Sequence, residues 1–131
     1  MKIRLHRFAV WSNVFYLVPV VLALYFHLVW VAFVVSLLFL FSSAFHIMGE
    51  REFVRTDIAV AATIAILNIA LLFLGGVKLL LLSAVLILVG VALGIRFVVE
   101  RGNRGGIAHG FWHLTAAAIT SLCLFSYALP F

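Results

Sequence analysis

The chain has 131 residues, 67% of them hydrophobic and only 10% charged, with a formal net charge of +5. A soluble domain runs nearer half apolar and a quarter charged, so a water-soluble globule is excluded. The basic excess lies in short segments between apolar runs, which fits membrane topology and argues against nucleic acid as a partner.

The opening Met1-Lys2-Ile3-Arg4-Leu5-His6-Arg7-Phe8 has the basic flank of a signal peptide. The apolar stretch behind it is too long for a signal core, and no small-residue cleavage site follows at the right distance, so a retained first helix is expected. A crossing needs about 20 apolar residues. The run from Phe8 to Met48 far exceeds that and must fold back, best near Tyr25-Phe26-His27, which predicts spans over 8–26 and 28–48. Tyr25 and Trp30 suit the membrane interface, and Pro19 falls inside the first span, where a kink is tolerated. Gly49-Glu50-Arg51-Glu52 precedes a third span over 53–74, and Gly75-Gly76-Val77-Lys78 predicts a tight turn into a fourth over 79–99. A polar loop from Glu100 to Gly106 leads to a fifth span over 107–129, stopped by Pro130.

The expected fold class is therefore all-α: one domain over 1–131, an integral multi-pass membrane bundle of about five transmembrane helices. With this count, Lys2, Arg4, Arg7, Arg51, Arg55, Arg96, Arg101 and Arg104 share one side, and Lys78 alone lies on the other. The positive-inside rule then predicts a cytoplasmic N-terminus in a plasma or inner membrane. The lone Cys123 lies inside an apolar segment, so no disulfide framework exists.

Five polar residues stand out from this hydrocarbon background. Ser42 and His46 end the second span, four apart and hence on one helix face; Asp57 opens the third span; His109 and His113 open the fifth, again four apart. All of these span ends lie on the expected cytoplasmic side. An ionisable group inside a bilayer costs roughly 2.5–3.5 kcal/mol on insertion scales, so such residues are rare without a role. Three histidines with an open fourth position make a catalytic zinc site, at which bound water becomes a nucleophile near neutral pH. His46, His109 and His113 are the expected Zn2+ ligands. Asp57 offsets the charge and can accept a proton from the water, while Ser42 can hydrogen-bond the water, the Asp or a substrate oxyanion. Singly, each residue has a plainer explanation: an interfacial histidine is often decoration, and Asp57 beside Arg55 fits a helix-start charge. A metal-free polar network is the main alternative for the set, and a haem held between His46 and His113 is another.

At these residues the chain resembles the CREST superfamily of membrane hydrolases, which includes alkaline ceramidases, the progestin and adipoQ receptors and myomaker-like proteins. The signature is S-x3-H at one helix end, an Asp at the start of the next and H-x3-H at the start of the last. Here it reads Ser42-Ser43-Ala44-Phe45-His46, Arg55-Thr56-Asp57 and His109-Gly110-Phe111-Trp112-His113. The resemblance implies zinc on His46, His109 and His113, with Ser42 and Asp57 close to its water, and a lipid amide or ester as the bond hydrolysed. The family's usual core has seven helices, so this chain is expected to be a shortened member, its lipid cavity open to the bilayer or closed by a second copy.

Other features carry smaller expectations. Ala61, Ala62, Ala65, Ala116, Ala117 and Ala118 leave space for an acyl chain or, more simply, let helices pack closely. Gly90-Val91-Ala92-Leu93-Gly94 suits either a homodimer face or intrachain packing. Asn68 is expected in an interhelical hydrogen bond, with the lining of a substrate path as the alternative. Asn13 lies at a depth from which it can touch the site. The functions in competition are a ceramidase-like zinc hydrolase acting on a membrane lipid, a non-enzymatic receptor-like or membrane-remodelling protein with a structural zinc, and a small haem protein.

Overall fold

The computed structural model describes residues 7–48, 51–99 and 107–130, and within them the side chains of all but residues 7, 51–54, 57 and 99. The basic residues Lys2, Arg4, Arg101 and Arg104, which set the expected orientation, lie outside the described residues. The architecture is all-α, with no strand among the described residues. In lipid a backbone must satisfy its own hydrogen bonds, and helices are how an apolar chain does so.

The first rod is built from α1 (Arg7–Ser12), a 3-10 turn (Asn13–Tyr16) and α2 (Leu17–Tyr25). Pro19 accounts for the tightened middle: it offers no N–H to the carbonyl of Phe15, and its ring crowds that carbonyl. Then come α3 (Val29–Met48), α4 (Arg51–Leu74), α5 (Leu79–Gly94) running into a π turn (Ile95–Val99), and α6 (Ile107–Ala128). These rods match the five expected spans to within a residue or two at most ends. Four are long and apolar enough to cross a membrane, and the corresponding stretch of α4, Ile58–Leu74, is shorter. Such helices make this a membrane protein.

Both reversals between rods that lie among the described residues use the same device. After α2, Leu28 N–H donates to the Ala23 carbonyl at 2.8 Å and His27 N–H to that of Leu24 at 3.0 Å, with His27 left-handed at φ 60°. After α4, Val77 N–H donates to the Leu72 carbonyl at 3.1 Å and Gly76 N–H to that of Phe73 at 3.2 Å, with Gly76 at φ 85°. Each is a Schellman closure. Histidine is among the few side-chain-bearing residues that enter the left-handed region readily, so the first turn needs neither Gly nor Pro.

The last helix organises the bundle. α6 packs on α1, the 3-10 turn, α2, α4 and α5, and the core around it includes Val35, Leu38, Leu71, Cys123 and Leu124. α4 and α5 follow one another in the chain, yet each rests on α6 with little contact between them. At the far end of α6, a Cβ on Gly75 would come 2.4 Å from the Ser126 carbonyl oxygen, so glycine allows the two helices to meet there. Beside it Lys78 Nζ donates to the carbonyls of Ser126, at 2.6 Å, and Leu129. That ammonium caps carbonyls which the end of a helix leaves unpaired.

Candidate metal centre and adjoining cavity

The histidines sit where antiparallel rods bring the end of α3 beside the start of α6. His46 and His113 are 7% and 2% exposed, and His109 is buried to the same degree as His46. Their Nε2 atoms converge: His46 lies 3.4 Å from His113 and 3.1 Å from His109. One ligand atom from each of the three lies within 4.8 Å of the others, a set able to hold a metal ion. Two nitrogens bound tetrahedrally at 2.0–2.1 Å stand about 3.3 Å apart, and the two observed separations bracket that value. The donor set could therefore hold a single metal ion. Nitrogen lone pairs facing one another at these distances repel unless a proton or a cation lies between them.

Haem does not fit. A porphyrin between His46 and His113 needs its ligands on opposite faces of the ring, about two metal–nitrogen bonds or roughly 4 Å apart. Here the separation is 3.4 Å, with the His109 nitrogen crowded against the same atom of His46.

Ser42 is buried on the same face of α3, one turn from His46. Asp57 lies in α4, but its side chain is outside those described. Two residues with no assigned part in the sequence reading complete the surroundings. Ser12 Oγ stands 2.8 Å from His113 Nδ1 and 2.9 Å from the Ala9 carbonyl. A Cβ on Gly110 would fall 2.2 Å from the Phe8 ring and 3.2 Å from Ser12 Oγ, so the glycine leaves room for these two side chains against α6. The signals were a serine one turn into an apolar span and a glycine between two histidines, both common enough in membrane helices to pass unnoticed. Asn13 is fully buried, and neither end of its amide has a partner.

A cavity of about 330 Å³ is lined by Tyr16 and Trp112, neighbours of His113, but by none of the three histidines. Ala61, Ala65 and Ile69 of α4 form one wall, Val89 and Leu93 of α5 the other, and Trp112 and Ala116 of α6 the floor. Exposed Ala65, Ile69 and Leu93 place its mouth in the gap between α4 and α5. Its inner end reaches Tyr16, whose ring centroid is 5.8 Å from that of His113. The volume falls in the lower part of the range for ligand pockets, about 300–1,000 Å³. Close packing, the simpler expectation for the alanines, holds for buried Ala117; Ala61, Ala65 and Ala116 instead line the space. Asn68 makes the expected interhelical hydrogen bond, donating to Thr120 Oγ1 at 3.1 Å, and its side chain also lines the cavity.

Comparison of the chain with protein-family models, curated proteins and solved structures gives no match.

Proposed function

We propose that this protein is a zinc-dependent intramembrane hydrolase of a lipid amide or ester, ceramidase-like, and a shortened member of the CREST superfamily. One observation carries the reading: three buried imidazole nitrogens converge beside an apolar cavity that opens between two membrane helices. A polar reaction centre next to a hydrocarbon-lined space suits a substrate that is itself polar at one end and apolar along its length.

The cavity takes the acyl chain, entering laterally between α4 and α5, and the histidine end receives the carbonyl. Zinc, when bound, supplies a Lewis acid and lowers the pKa of water. The residues of the chain do the rest. Ser42 donates a hydrogen bond to the oxyanion that develops as water adds to the carbonyl carbon. Asp57 takes the proton of that water and returns it to the leaving nitrogen or oxygen as the C–N or C–O bond breaks. The arginine bias of the chain puts this centre near the cytoplasmic face of a plasma or inner membrane. The short scaffold leaves the α4–α5 opening to lipid or to a second copy.

Deep burial of the three histidines also suits a structural zinc in a non-enzymatic protein. Turnover of a fluorescent ceramide and a fluorescent acyl ester by detergent-purified protein separates the two. The hydrolase reading expects Asp57→Asn and Ser42→Ala to lose about a hundredfold or more in kcat with metal content retained. Absence of turnover on both substrates, together with unfolding of His113→Ala, would overturn it in favour of a staple.

A further inference from the structure

The serine on α1 has a directional relationship with the centre. Ser12 is 1% exposed and sits in the first membrane span, where no water competes for its hydroxyl. A hydroxyl carries a single proton. The Ala9 carbonyl at 2.9 Å can only accept, and a proton directed to it, within the serine's own helix, leaves only the oxygen lone pairs for His113. The contact with His113 Nδ1 at 2.8 Å is then satisfied only if that nitrogen carries the ring's hydrogen. A neutral imidazole with hydrogen on Nδ1 has its lone pair on Nε2, and His113 Nε2 is the atom that faces His46.

We infer that Ser12 is a positioning residue for His113, holding it in the Nδ1–H tautomer and aiming its Nε2 lone pair into the three-histidine centre. The inference rests on the metal-binding reading of that centre, although the tautomer itself does not. Ser12 is enclosed, which suits positioning rather than attack on a substrate. Gly110 gives the contact room. Its missing side chain admits Phe8 and the Ser12 hydroxyl to the turn of α6 between His109 and His113. The Phe8 ring also packs on that of Phe111, with centroids 5.6 Å apart, which fixes the height of α1 against α6.

Partners that orient a ligating histidine are typically worth about 10–100-fold in metal affinity. Two measurements test the idea on the full chain in detergent micelles. In metal-free protein with 15N-labelled histidine, NMR reads which nitrogen of His113 is protonated. Wild type and Ser12→Thr, which keeps a hydroxyl, should show hydrogen on Nδ1, and Ser12→Ala should shift toward the Nε2–H form. Zinc titration against a chromogenic chelator should then give affinity about 10–100-fold weaker for Ser12→Ala, with Ser12→Thr near wild type. Gly110→Ala should weaken it in the same way by lifting α1 away, with helicity checked by circular dichroism. Hydrogen on Nε2 in wild type, or a tautomer and an affinity that ignore Ser12→Ala, would overturn the inference. Should wild type bind no zinc while the tautomer still follows Ser12, the metal reading fails and the positioning role stands.

Discussion

The two ends of α6 are built alike and finished differently. At each end a glycine lets a neighbouring rod approach the helix: Gly110 admits Phe8 and Ser12, and Gly75 brings α4 onto Ser126 and Tyr127. At the far end the unpaired carbonyls meet Lys78, a donor matched to acceptors. At the near end three buried histidine nitrogens converge within 4.8 Å of one another, a set that could hold a metal ion. Polar groups are costly inside a bilayer, so the lysine end reads as structure and the histidine end as a place that could hold an ion.

Substitutions at either end, and in the cavity between them, should separate these roles. The largest effect is expected from Ala116→Phe, which fills the cavity floor beside the site. Turnover of long-chain substrate should fall about a hundredfold, by misplacing the carbonyl, while zinc content stays unchanged. A variant that kept full turnover would show that the acyl chain lies elsewhere. Next comes Gly75→Ala at the structural end. Its added Cβ meets backbone, not a mobile side chain, and should cost about 1–3 kcal/mol in thermal or denaturant unfolding without touching metal binding. Lys78→Met removes charge-assisted hydrogen bonds from the same end and should cost about 1.5 kcal/mol, again with the centre intact. The smallest effect belongs to Asn68 and Thr120, between the two ends. A double-mutant cycle with Asn68→Ala and Thr120→Val should give a coupling of about 0.6 kcal/mol, the usual size for an interhelical hydrogen bond in a membrane. A much larger coupling would mean that the pair does more than join α4 to α6.

The all-α class, the rods and the histidine trio were legible because each contrasts with its background. Apolar runs set the helices, and His46, His109 and His113 stand out against hydrocarbon. The reversal at His27 could be located but not explained, since its left-handed backbone belongs to the turn rather than to any Gly or Pro. The cavity was less legible. α5 is apolar on all sides and buries only Val85 and Ala92, so no stripe in its sequence tells which face meets the bundle. That α4 and α5 stand apart, leaving Ala61 and Ala65 on a cavity wall, depends on how both helices dock on α6. Ser12 was invisible for the same reason: nothing local distinguishes a serine aimed at a histidine from one bonded only to its own helix.

The central claim is that the histidine end of α6 holds a metal, and elemental analysis of the detergent-purified protein tests it most directly. About one zinc per chain is expected for wild type and for Lys78→Met, and none for a folded His113→Ala. Wild-type protein free of metal, with His113→Ala equally stable, would contradict it.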